Sequence, residues 1–309
     1  MPSAALTPSD TVLFLADQFA DVHRDKVHRY PGGAELTDDA VLEAAPCAVE
    51  KRTFETITEQ DFERATVCIV GNANQAASHQ LRRVARFPRV VLFEHDMRIC
   101  KSRGNMFSWE RPLHRTLHWC TCRRKDMLEM TRASAGVVFL TTYQRRIFER
   151  NPWYGRPRAR VLGSSVFSKA ALEQFKRPRP GGERSIEICL SFSAFAEKGF
   201  AASMKYARGV AKDPYVIKNL RPEEVLEVFR KAKRFVHIPP SPEWAGRLPV
   251  EARFMGAEVI TNDHVGVTLE PWWALPDEEA LAVLAGAATR FWKLVDDLLV
   301  EHAAKGPAR

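Results

Sequence analysis

Cysteine is scarce in this chain, with six residues in 309. That is too few for a disulfide-stapled scaffold, so apolar cores must hold the fold together. Cys47, Cys68 and Cys189 lie in apolar or unremarkable surroundings and read as packing residues. Long hydrophobic runs are missing too: no stretch approaches the roughly 18 residues of a membrane span. The opening residues, Met1 to Ala5, lack the basic start of a secretory signal, so a cytoplasmic location is expected. Internal repeats and low-complexity tracts are also absent. What is present is 45% hydrophobic and 27% charged residues, the balance of a globular protein long enough for two domains.

Net charge is +8, unevenly spread. Residues 1–81 carry 6 basic and 13 acidic side chains, residues 82–160 carry 19 and 6, and residues 166–309 carry 21 and 19. The middle segment is therefore +13 between a −7 segment and a +2 segment. The plain reading is a solvated basic face. The sharper one is a surface for a polyanion such as nucleic acid.

Short apolar runs at 11–16, 66–70, 89–93, 136–140 and 159–162 predict buried strands, with helical patterns at 34–45, 75–87 and 142–150 between them. Residues 175–184, with two Pro and two Gly among charges, read as a linker. The alternation then restarts, with strands at 186–190, 215–217, 235–238 and 258–261. Helices are expected at 199–211, 222–233 and 247–256, and one long terminal helix at 277–304. Near-continuously apolar strands alternating with helices argue for parallel sheets covered on both faces. Two such α/β halves meet at the carboxyl ends of their strands, where open α/β sheets bind ligands.

Chemistry-bearing residues follow those strands. Glu243 and Glu251 stand eight positions apart, with Gly246 and Pro249 between them and Ala252, Gly256 and an apolar strand after them. Pro249 suits a first helical turn. A carboxylate one turn into that helix can accept from two adjacent hydroxyls, as on a ribose. The N–H groups of Gly246, Arg247 and Leu248 at the helix start favour a phosphate. Two unrelated surface glutamates would be the bland alternative. Glu197-Lys198-Gly199 heads another helix after a strand, which places a cation near an anion site, although the tripeptide alone is common. Gly32 and Gly33 lie in the first strand-to-helix loop, where glycine permits close backbone approach and φ > 0. The loop before them carries His23, Arg24, Lys26, His28 and Arg29, within reach of an acceptor. His95 and Asp96 cap the third strand at the cleft edge, where a carboxylate can act as general base.

The segment from Glu243 to the strand after Gly256 resembles the donor-binding segment of GT-B glycosyltransferases, in particular the retaining family 4 with two glutamates separated by seven residues. The resemblance covers both glutamates, Gly246, Pro249, the Glu251-Ala252 pair and Gly256. It implies a nucleotide-diphosphate sugar, such as a UDP-sugar, as donor, and net retention at the anomeric carbon. Glu243 would contact the transferred sugar and Glu251 the nucleotide ribose. Lys198 would reach the diphosphate, Gly32 and Gly33 would lie beside donor and acceptor, and His95 near the donor sugar. No metal or other cofactor is required for that chemistry. The family often has an Arg five residues before Lys198; here that position is Ser193, so Lys218 and Arg221 become candidates for the rest of the diphosphate grip. The resemblance also implies a GT-B fold. Residues 1–172 would form the acceptor-side Rossmann-like domain, with a basic insertion at about 97–125, and 183–285 the donor-side domain. A terminal helix, 286–309, would return to the first.

Within the insertion, Cys100, His114, His118, Cys120 and Cys122 raise a structural zinc site, against the plainer reading of reduced thiols, since Cys-X-Cys fits no strong zinc spacing. Basic residues there alternate with Phe107, Trp109 and Trp119, which suits nucleic acid or a private core. The expected acceptor is a hydroxymethylated cytosine or other pyrimidine in double-stranded DNA, flipped into the cleft from the basic 82–160 region. That would place a viral protein in its host's cytoplasm. The alternatives are a glycan, lipid-linked or small-molecule acceptor, and a non-catalytic nucleotide- or DNA-binding protein. Oligomeric state is open.

Overall fold

The structure is a computed structural model that describes residues 5–21, 30–100, 124–151, 154–177 and 183–305. Two parallel sheets organise it. The first contains β1 (Thr11–Ala16), β2 (Ala48–Thr53), β3 (Val67–Val70), β4 (Val90–Glu94), β5 (Gly136–Phe139) and β6 (Ala159–Val161), in the order β2-β1-β3-β4-β5-β6. Helices α1 (Gly33–Leu42), α2 (Glu59–Arg64), α3 (Ser78–Ala85), α4 (Lys125–Ala133), α5 (Thr142–Arg150) and α6 (Lys169–Lys176) alternate with or follow these strands. The second sheet contains β7 (Ile186–Ser191), β8 (Tyr215–Ile217), β9 (Ala232–His237) and β10 (Glu258–Thr261), in the order β10-β9-β7-β8. With it go α7 (Phe200–Val210), α8 (Pro222–Lys231), α9 (Arg247–Phe254) and α10 (Asp277–Ala285), followed by α11 (Ala287–Lys305).

The period of two along β1 shows why its run is apolar at every position. Leu13 and Leu15 point to one face, where they join Leu81 and Val84 of α3, Met127 of α4 and Phe148 of α5. Val12, Phe14 and Ala16 point to the other, where they join Val41 of α1 and Phe291, Val295 and Leu298 of α11. A strand buried on both faces has no polar side to show. β2 and α2 carry no such signal. β2 is an edge strand, AVEKRT, mostly half-exposed. α2 is six residues started by a capping box, with Thr58 N 2.8 Å and Thr58 Oγ1 2.7 Å from Asp61 Oδ2.

The terminal helical pattern is two helices rather than one. It breaks at Gly286, whose N–H bonds to the Ala282 carbonyl at 3.2 Å. Glycine is a weak helix former, and the break lets α11 leave the second sheet and cross the first. There Phe291 meets the Phe93 ring at 4.5 Å, and Trp292 Nε1 donates to the Val41 carbonyl at 2.7 Å. Further bonds tie the halves: Trp272 Nε1 to the Gly163 carbonyl at 2.7 Å, and the Thr142 N–H to Glu270 Oε1 at 2.5 Å.

Two glycines with similar backbones separate strain from crowding. Gly199 and Gly155 both have positive φ, +71° and +78°. A Cβ on Gly199 would strike the Ile238 carbonyl, whereas one on Gly155 meets nothing within 4 Å. Gly155→Ala is expected to cost about 1–2 kcal/mol from backbone strain alone, and Gly199→Ala about 4 kcal/mol or more, because backbone must move as well. Urea unfolding of the two variants checks this; equal losses would contradict the packing argument.

Candidate functional site

A cavity of about 620 Å³ lies between the carboxyl ends of the two sheets. The first sheet contributes Asn72, His95, Asp96 and Leu140, which follow β3, β4 and β5, together with Gly32 and Gly33 at the start of α1. The second contributes Ser191 to Ser193 at the end of β7 and just after it, Lys198, His237 at the end of β9, and 241–248 and Glu251.

Glu243 is held at three points. Its N–H bonds the His264 carbonyl at 2.9 Å, and its carbonyl accepts from the Gly266 N–H at 2.7 Å. Its carboxylate has Oε2 2.9 Å from His237 Nε2 and Oε1 3.3 Å from Lys198 Nζ. Burial alone would raise the carboxyl's pKa, but Lys198 and His237 together outweigh it and hold Glu243 well below the usual carboxylate range. Lys198 is raised in turn, chiefly by Glu243. Its side chain stays 47% exposed to the cleft, so it remains accessible to a ligand.

The next two residues run into the other half. Trp244 and Ala245 bury themselves in the two cores of the first sheet, and the Trp244 carbonyl accepts from Thr141 Oγ1 at 2.7 Å. Gly246 then turns the chain into α9 with φ +62°. The first N–H groups of α9 have no partner within the helix, which makes this end favourable for an anion. Leu248, the second residue of α9, borders the cavity and packs on the second half's core.

Arg247 and Glu251 lie one turn apart on α9, with Nε and Oε1 3.5 Å apart and both largely buried. Burial raises Glu251 above its ordinary pKa, with Arg247 opposing. The guanidinium does not stay with Glu251. It stacks 4.2 Å over the Phe167 ring, and Nη1 reaches the Val166 carbonyl and, at 3.4 Å, Thr37 Oγ1. Arg247 thus fastens α9 to the first half beside Gly33, where a Cβ would come within 3.2 Å of Arg247 Cδ.

Gly32 and Gly33 border the cavity, but neither has positive φ. The positive φ that glycine permits is not used, because α1 begins directly at Gly33 after an extended Gly32. What the glycines provide is clearance. His95 and Asp96 both border the cavity, with His95 Nε2 2.6 Å from Asp38 Oδ1. Ser193 borders it with no charge, its Oγ accepting from the Phe195 N–H at 3.1 Å.

Lys218 and Arg221 are not brought to the cavity wall. Lys218 Nζ sits 4.5 Å over the Phe192 ring, and Arg221 caps α8 by pairing with Glu224 at 3.1 Å. Arg221 is thus held by a partner three residues away, and Lys218 by a ring that follows β7. Of the zinc candidates, Cys100 is buried, while His114, His118, Cys120 and Cys122, like the loop from His23 to Arg29, lie outside the described residues. Among the described residues no group of three His, Cys, Asp or Glu side chains is placed to hold a metal.

Three site residues escaped the sequence reading. His237 lies inside the expected strand 235–238, yet it is the direct partner of Glu243. Asp38 lies inside the helical pattern 34–45, yet it is 0% exposed against His95. Gly266 admits the Trp244 carbonyl where a Cβ would collide. Only His237, a polar residue ending an apolar strand, left a visible signal.

No family model and no curated protein matches the sequence. Solved structures do. HepE of Anabaena in complex with UDP-glucose superposes with a TM-score of 0.52 at 13% identity, covering 96% of this chain and 100% of that one. Sucrose-phosphate synthase of Thermosynechococcus elongatus gives 0.52 at 14% identity, over 96% and 93%. An alpha-glucosyltransferase in complex with UDP and a 13-mer DNA containing a HMU base gives 0.51 at 9% identity, over 96% and 94%. The fold is GT-B. Its returning terminal helix is α11. No helix among the described residues is long and apolar enough to cross a membrane.

The Glu243 pairing has a pH signature. Its folded pKa lies below the ordinary glutamate value of 4.5, so its stabilising contribution is present above pH 4.5 and fades as pH falls below it. Glu243→Gln is expected to destabilise by about 1–2 kcal/mol at pH 7, discounted for the half-exposed Lys198. The gap from the parent protein should narrow below pH 4.5. Thermal unfolding from pH 3 to 7 measures it, and a constant gap would mean that the carboxylate charge is not what holds this loop.

Proposed function

We propose that this protein is a glycosyltransferase that moves a sugar from a nucleotide-diphosphate donor to an acceptor hydroxyl with retention of configuration. One observation carries the reading: Glu243, Glu251, Lys198 and the start of α9 converge on one interdomain cavity at the carboxyl ends of both sheets. Glu251 accepts from the ribose hydroxyls once Arg247 yields, and its raised pKa marks a carboxylate in want of donors. The N–H groups at the α9 start and Lys198 stabilise the diphosphate as it leaves, which is the main rate term such a site can supply. Glu243, kept ionised by Lys198 and His237, orients the transferred sugar.

For the acceptor, hydroxymethylated pyrimidine in double-stranded DNA remains the favoured class, supported by the basic 82–160 segment. Part of that charge is already spent. Arg89 pairs with Asp10 at 2.8 Å, Arg83 with Glu59 at 2.8 Å, Arg98 with Glu94 at 2.7 Å, and Arg160 with Glu301. Arg82, Arg86, Arg132, Arg150 and Arg156 have no ion pair with a described residue. This partial neutralisation is the observation that favours the second reading, a glycan or other small acceptor.

The deciding assay incubates the protein with radiolabelled UDP-glucose and either hydroxymethylcytosine duplex, plain duplex or no acceptor. Label is expected in the modified duplex only, and Glu243→Ala should reduce transfer by about 10²-fold or more. DNA affinity should fall steeply between 50 and 200 mM salt. Absence of donor binding would sink the transferase reading; donor hydrolysis without transfer to DNA would move the acceptor to the small-molecule class.

A further inference from the structure

A second buried acid–base pair faces the same cavity, and the roles proposed above give Asp38 no task. His95 Nε2 lies 2.6 Å from Asp38 Oδ1, and the two residues are 7% and 0% exposed. Asp38 comes from α1 and His95 from the residue after β4, so the pair bridges two elements of one wall. The imidazole plane is fixed by the Phe93 ring at 4.4 Å, itself backed by Phe291 of α11. Gly71 leaves the room that the carboxylate occupies: a Cβ there would come within 2.7 Å of Asp38 Oδ2, an oxygen that is buried without a partner. With Nε2 on Asp38, the other ring nitrogen has no partner among the described residues and is not among the side-chain atoms sealed from solvent. His95 borders the cavity, so Nδ1 is the nitrogen open to it.

The cavity is short of positive charge for a diphosphate. Ser193 stands where a second cation was expected, Lys198 is shared with Glu243, and Arg247 is tied to Glu251 and the Val166 carbonyl. We propose that Asp38 is a positioning residue that holds His95 as an imidazolium, with Nδ1–H donating to the diphosphate of the donor. This rests on the nucleotide-sugar reading of the cleft. An imidazolium donates from both nitrogens, whereas neutral imidazole bonded through Nε2–H to Asp38 leaves Nδ1 an acceptor that repels phosphate oxygen. The groups facing the ring differ in sign, and Asp38 is itself pushed up by burial, with His95 opposing. Burial favours the neutral form, but Asp38 and then Asp96 raise the His95 pKa, with Arg98 opposing, and the net shift is upward. The charge is therefore present below the raised pKa and lost as pH rises through it.

The test is the affinity for UDP-glucose, whose diphosphate does not titrate in the range, and for uridine, by calorimetry from pH 6 to 8.5. UDP-glucose binding should weaken about tenfold across the His95 titration, as expected for loss of one charge-assisted hydrogen bond, and uridine binding should not. In Asp38→Asn the step should move to lower pH, so that affinity is low at pH 8 and recovers near pH 6. His95→Gln should show no step. Equal weakening of both ligands at every pH in Asp38→Asn would reduce Asp38 to a structural role and overturn the proposal. A protein that binds neither ligand would overturn the donor reading, and histidine NMR titration of the free protein then decides this pair by itself. A His95 pKa no higher in the parent than in Asp38→Asn refutes the positioning role.

Discussion

The loop from Glu243 to Gly246 belongs to the second half by connectivity and to the first by packing. Trp244 and Ala245 sit in the two cores that flank the first sheet, while Glu243 immediately before them is bonded on both sides to residues 264–266 of the second half. This splicing is the constraint on which the site depends. A carboxylate on a free surface loop would ionise in water and serve no fixed partner. Here the neighbouring indole holds the backbone in place, so the carboxylate meets Lys198 and His237 at bonding distance and stays charged in a buried setting. Gly266 is part of the same device, because only a residue without Cβ lets the Trp244 carbonyl approach.

The halves are joined elsewhere by bonds of a similar kind, made from side chain to backbone. Arg247, Trp272, Trp292 and Glu270 each reach a main-chain group across the junction. Main-chain partners in α1, at the start of α5 and in the segment after β6 are fixed by the backbone, so such bonds report the relative placement of the two halves with little side-chain freedom. Arg247 is the one of these that also meets a carboxylate of the cavity wall, Glu251, so one guanidinium serves both the junction and the cavity.

Charge in the first half is governed by a different balance. A +13 segment looks like a strong field in one dimension. In three dimensions the acidic residues of the first segment and of α11 come to lie against it, as Arg89 with Asp10 and Arg160 with Glu301 illustrate. Charge that is remote along the chain screens charge that is near in space, so a segment count overstates the potential a ligand meets.

Much of the architecture was legible from patterning. Strands β1, β8 and β10 and helix α5 follow the apolar and helical runs residue for residue; for β1 the reason is that a strand covered on both faces must be apolar throughout. β2 and α2 were not, since an edge strand half in water and a six-residue helix carry little hydrophobic signal. For the site, the residue types and their order determined that two glutamates, a lysine and a glycine pair would stand at strand ends or helix starts. Tertiary structure alone decided which of them share a cavity, that Lys218 turns to the Phe192 ring and Arg221 to Glu224, and that Asp38 and His237 stand behind His95 and Glu243. Sequence periodicity records which face an element buries; it does not record what lies against that face, and hydrogen-bond partners come from the element packed there.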